Sequence, residues 1–94
     1  MEIKKGSNMF YVGESEENPL AKVELESDEK DNIVIEHTIV SDELKGQNVA
    51  KQLIKKVVDF AREENKKIVP VCTYAQAQFE KNKDYEDVLY KQQS

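Results

Sequence analysis

The chain has 94 residues, 35% of them charged and 38% hydrophobic, with a net charge of −5. That length fits a single domain over residues 1–94 and leaves little room for a large substrate cavity, so a site should be small and near the surface. No apolar run is long enough to cross a bilayer, and an acidic chain is repelled by a polyanion, so neither membrane nor nucleic acid is an expected partner.

Met9 to Val12 reads as a short strand, closed by Gly13 and an acidic turn before Pro19. Leu20 to Glu26 alternates, with Ala21, Val23 and Leu25 on one side and Lys22, Glu24 and Glu26 on the other. That is a half-buried strand, and Ser27 to Asp31 follows as a charged hairpin loop. Asn32 to Val40 is the strongest strand, with Ile33, Ile35, His37 and Ile39 assigned to one face and Val34, Glu36, Thr38 and Val40 to the other. Both faces are largely apolar, so the strand should be central with helices on each side of the sheet.

The longest helical pattern runs from about Gln47 to Asn65. Val49, Ala50, Leu53, Ile54, Val57, Val58, Phe60 and Ala61 form the buried stripe, and Lys51, Lys55, Lys56, Asp59 and Arg62 face water. Gly46 and Asn48 at its entry can take positive φ, and the first helical amides have no partner inside the helix. Together with nearby lysines and the positive end of the dipole, this is a candidate phosphate cradle. The charge distribution agrees: residues 1–43 carry 4 Lys and 12 Asp/Glu, whereas residues 44–94 carry 10 Lys/Arg and 7 Asp/Glu. Ile68 to Cys72 is a short buried strand that should run parallel to Asn32 to Val40 through a right-handed crossover. Pro70 removes a ladder donor, so the two parallel strands should part and leave a gap. Tyr74 to Lys81 forms a second helix, Tyr85, Val88 and Leu89 pack as a final turn, and Gln92 to Ser94 are expected to fray.

In this order of elements the residues resemble the GNAT superfamily of acyl-CoA-dependent N-acetyltransferases, and within it a very small single-domain subgroup. The likeness covers about residues 32–89. The superfamily's Arg/Gln-x-x-Gly-x-Gly/Ala signature is matched by Lys45-Gly46-Gln47-Asn48-Val49-Ala50, where Lys45 stands for the Arg, Asn48 for the central Gly, and Ala50 fits strictly. His37-Thr38-Ile39-Val40 and Pro70-Val71-Cys72-Thr73-Tyr74 are similar to runs of the subgroup. The resemblance implies an α/β (α+β) fold with a mixed, mainly antiparallel sheet, a parallel strand pair splayed for CoA, and two main helices. It further implies that acetyl-CoA is the cofactor, with the pyrophosphate near Lys45 and Gly46 and on the amides of Gln47, Asn48, Val49, Ala50 and Lys51. The pantetheine arm would bond to the backbone near Ile39 and Val40. Two departures bear on catalysis: Phe79 occupies the position where larger relatives often carry a general-acid Tyr, and Cys72 replaces an Asn that contacts pantetheine.

His37, assigned to the apolar face, is a candidate base, and Cys72, at the end of the parallel strand beside the gap, is a candidate nucleophile. One His and one Cys make no metal site. The expected partners are acyl-CoA and an unknown amine acceptor, in a monomer or weak dimer. A binding module that retains CoA recognition without transfer is the rival reading. The N-terminus lacks the pattern of a secretory signal and the lone Cys72 cannot form an internal disulfide, so a cytoplasmic setting is expected.

Overall fold

The computed structural model describes residues 1–91, so the fraying expected of residues 92–94 lies outside the described residues. Five strands form one sheet in the order β1-β2-β3-β4-β5: β1 is Lys4–Gly6, β2 Met9–Val12, β3 Ala21–Ser27, β4 Ile33–Val40 and β5 Ile68–Pro70. Strands β1 to β4 are antiparallel, and β5 returns parallel to β4 after helix α1, Val49–Glu64. Helix α2, Thr73–Lys81, and a 3₁₀ segment, Lys83–Val88, complete the architecture. Among the described residues no helix is long and apolar enough to cross a membrane.

Strand β1 carries no alternating apolar signal. Its Lys4-Lys5-Gly6 sequence suits an edge strand, where lysines discourage pairing with other chains, and Asn8 at φ 56° closes the tight turn into β2. The β3–β4 hairpin is held by the Asp28 carboxylate, which accepts from the backbone amides of Lys30 and Asn32 and from the Asn32 side chain. Asn32 is buried there as the partner of that carboxylate.

The register between β3 and β4 shifts midway. Glu24 pairs with His37, but Leu25 pairs with Ile35, so Glu36 is an extra residue in β4. A single inserted residue exchanges the two faces of a strand. Ile33 and Ile35 point toward α1 before the bulge, and beyond it Thr38 and Val40 do so, opposite Val23 and Ala21. The alternation expected from sequence is corrected on this point: His37 and Ile39 lie on the other face, His37 exposed and Ile39 53% exposed.

The helical layer is corrected too. Val49, Leu53, Ile54, Val57, Val58 and Ala61 of α1 share one core cluster with Ala75 and Phe79 of α2 and with Tyr85 and Val88 of the 3₁₀ segment. Phe10 and Phe60 meet edge to face at 5.7 Å, fixing α1 to β2, and Phe79 meets Tyr85 in the same way. Among the described residues, the opposite face of the sheet has no helical cover. Part of it is crossed by the loop before β3, where Lys4 donates to the Gly13 carbonyl and Glu16 accepts from the Ser7 amide.

Arg62 clamps the 3₁₀ segment to α1 by bonding both carboxylate oxygens of Asp87 and the Asp84 carbonyl. The Arg62 guanidinium holds the Asp87 carboxyl below its ordinary value of 3.8, and hydrogen bonds from Asn32, its side chain first, do the same for Asp28. A lowered folded-state pKa gives stability that is present above the ordinary value and is lost as pH falls through the folded one. Asp28→Asn and Asp87→Asn should therefore be less stable than wild type in urea at about pH 5, with the difference shrinking as pH falls below the ordinary carboxylate value. A difference that persists undiminished in acid would show that these carboxylates act by packing rather than by charge.

Candidate functional site: an open strand edge beside an uncapped helix

The ladder between β4 and β5 runs only from Ile33–Ile68 to Ile35–Pro70. The Ile35 carbonyl takes the amides of both Val71 and Cys72, and the chain then turns into α2. Beyond the bulge β4 continues to Val40 with no strand partner on that side among the described residues. The Ser41 amide donates to Leu20 on the β3 side, so by antiparallel alternation Ile39 also faces β3 while the amides of Thr38 and Val40 face the open edge. The parted strands expected from Pro70 are present. Their exposed donors are Thr38 and Val40; Ile39 turns its backbone to β3 and its side chain to the uncovered face.

Helix α1 starts next to this edge. A 3₁₀ turn, Asp42–Leu44, leads into Gly46 at φ 85° and Asn48 at φ 58°, both in the left-handed region expected of these residue types. A Cβ on Gly46 would meet nothing within 4 Å, so backbone conformation alone calls for glycine. Asn48 is the N-cap but its side chain makes no capping bond, and the first turn contains no acidic residue. The Gln47 amide is tied at 3.4 Å to the Leu44 carbonyl, and the Gln52 amide begins the helical ladder on Asn48 at 3.1 Å. Among the described residues, the amides of Asn48, Val49, Ala50 and Lys51 have no acceptor. Four unpaired donors at the positive end of a 16-residue helix make this a candidate anion site. Lys45 is exposed and pairs with Asp42 at 2.9 Å, a weak tie that an anionic ligand can replace.

Val40, Leu44, Gly46, Asn48, Ala50 and Tyr74 line a shallow depression of about 220 Å³ that joins the open edge to the helix start. Burial, reinforced by Tyr85, pushes the Tyr74 phenol above its ordinary value, so it keeps its proton at neutral pH.

Cys72 lies where the strands part. Its Sγ is 3.5 Å from the Thr38 hydroxyl and accepts the Ala75 amide at 3.4 Å, making it the N-cap of α2. His37 is on the opposite face of the sheet, so the two candidate catalytic side chains are not brought together. Phe79 is buried against Tyr85 and offers no proton. Among the described residues no cluster of His, Cys, Asp and Glu could hold a metal ion. Thr38 was not singled out by the sequence reading, because only the bulge reveals that the face it shares with Val40 turns toward α1.

The mixed sheet and two helices are the fold of the GNAT class of acetyltransferases. A family model described as GCN5-related N-acetyl-transferase matches residues 9–88. The solution NMR structure of a GCN5-like, presumed N-acetyltransferase from Staphylococcus aureus is 46% identical, superposes with a TM-score of 0.80, and covers 98% of this chain and 90% of that one. No curated protein matches the chain. The chain belongs to the GCN5-related N-acetyltransferase family.

Proposed function

We propose that residues 1–94 act as one domain that binds acetyl-CoA and transfers its acetyl group to an amine. The observation that carries this reading is the pairing of four free amides at the start of α1 with an unpaired β4 edge beside them. The amides of Asn48, Val49, Ala50 and Lys51 suit a pyrophosphate, with Lys45 and Gly46 at its rim. The donors and acceptors of Thr38 and Val40 suit the amide-bearing pantetheine arm. Acetyl-CoA supplies an acetyl thioester, and the Val40 N–H, which faces the open edge, would donate to the oxygen of its carbonyl as negative charge develops there. In the overall exchange the acceptor ammonium gives one proton to solvent, the amine nitrogen bonds to the carbonyl carbon, the carbon–sulfur bond breaks, and a second proton from the nitrogen ends on the leaving sulfur as the thiol.

Cys72 is already engaged as a helix cap, which favours direct attack by the amine over an acetyl-cysteine intermediate. Cys72→Ser should consequently retain acetyl transfer, and intact-mass spectrometry after mixing with acetyl-CoA should show no adduct on Cys72. An adduct of one acetyl mass at that residue, with an inactive Cys72→Ser, would replace direct attack by the covalent route. The buried Phe79 supports a second reading, a CoA-binding module without transfer. Stabilisation by acetyl-CoA with no release of free CoA to any added amine would favour the module.

A further inference from the structure

We propose that a cavity between the β1–β2 hairpin and the C-terminal end of α1 binds a small monocarboxylic acid that carries one ring or a branched aliphatic chain. The free amides lie at the other end of α1, and a 16-residue helix sets its two ends about 24 Å apart, so the two sites are separate. The cavity measures about 140 Å³. One benzene fills an apolar cavity of roughly 150 Å³, so there is room here for a single ring and none for a nucleotide or a polypeptide backbone. Phe10, Leu25, Ile33 and Phe60 border it. Phe10 and Ile33 are buried, whereas Leu25 and Phe60 pack on the core with part of their surface still open. An apolar floor left partly wet favours an occupant with an apolar body.

Charge at the rim sets the rest of the ligand. Two lysines border the cavity, and they differ. Lys66 pairs with Asp31 at 3.3 Å, so its charge is largely balanced. Lys5 sits 5.1 Å from the centre of the Phe60 ring and, among the described residues, has no carboxylate partner, in a chain that carries 19 acidic side chains. A ring face holds an exposed ammonium only weakly, so Lys5 is free to turn onto an anion. Glu26 is the one acidic residue at the border among the described residues, and by strand alternation its side chain turns with that of Glu24 to the other face of the sheet. Glu63 and Glu64 are exposed and do not border the cavity. The Ala61 and Arg62 carbonyls at the end of α1 are taken by the amides of Lys66 and Asn65, so they do not repel an incoming anion at close range. One uncompensated positive charge above an apolar floor matches a monoanion, whereas a phosphate brings nearly two charges and no apolar body.

The test uses the full chain, ¹⁵N-labelled, titrated with sodium benzoate and separately with benzyl alcohol, acetate and benzylamine. The expected result is saturable shifts at Gly6, Ser27, Phe60 and Lys66 in the millimolar range, with Val49, Ala50 and Lys51 unmoved. Affinity for benzoate should be at least about tenfold above that for each of the other three compounds. Lys5→Gln should weaken benzoate binding by about tenfold, and Lys5→Arg should restore it. Ser27→Phe, which sets a ring at the mouth from the exposed end of β3, should abolish binding. Both positions are exposed, so the dispersed amide spectrum of the folded chain should persist in each variant. Absence of saturable shifts, shifts confined to other surfaces, equal affinity for benzyl alcohol, or unchanged benzoate binding in Lys5→Gln or Ser27→Phe overturns the proposal.

Discussion

Leu53→Ala should lower the stability of the domain by about 2–5 kcal/mol, because it deletes a fully buried side chain at the centre of α1 and leaves a cavity. Alanine is the best helix former, so lost helix propensity does not contribute, and the loss reports packing alone. A domain of this size has a total stability of about 5–14 kcal/mol, so the variant should unfold at much lower urea and approach partial unfolding at body temperature. Urea denaturation followed by circular dichroism measures this, with Lys51→Ala on the exposed face as the control expected to stay within about 0.5 kcal/mol of wild type. A loss below about 1 kcal/mol for Leu53→Ala would mean that the core can close around the deletion and that α1 is not its centre.

A combined Gly46→Val and Asn48→Val replacement should weaken acetyl-CoA binding by about a hundredfold. Both positions have positive φ, where a β-branched residue costs about 1–2 kcal/mol, so the turn should relax and move the free amides away from their shared target. Space around Gly46 is open, so the core is not perturbed by added bulk and the unliganded fold should survive. Asn48→Gly should preserve or tighten binding, since glycine adopts the same backbone more readily. Calorimetry on both variants separates the cases, and normal affinity in the double valine variant would mean that the phosphates are held elsewhere.

The sequence made the helices and the turn before α1 legible because both depend on local rules. The stripe from Val49 to Ala61 is set by helical periodicity, and Gly46 and Asn48 announce a turn by the conformations they tolerate. The gap was readable from Pro70 for a similar reason. Faces of β4 were not legible, since Glu36 inserts a bulge within a run where either phase places a β-branched residue inward, Ile39 in one and Val40 in the other. That one residue moved His37 away from the core and brought Thr38 beside Cys72. Apolar residues on both sides of β4 suggested two helical layers, yet part of that pattern is the exposed Ile39, and the sheet is covered by helices on one face. Strand β1 escaped notice because an edge strand built from Lys4, Lys5 and Gly6 carries no burial pattern.

The central claim is that the free amides of α1 and the open edge of β4 hold one acetyl-CoA molecule. Titrating acetyl-CoA into ¹⁵N-labelled protein tests it directly, with a pantetheine fragment lacking the pyrophosphate as the comparison. The account predicts saturable shifts of the Asn48, Val49, Ala50 and Lys51 amides together with those of Thr38 and Val40, and predicts that the fragment leaves the helix-start group nearly unmoved. Absence of shifts at millimolar acetyl-CoA, or shifts confined to residues outside both groups, would contradict it.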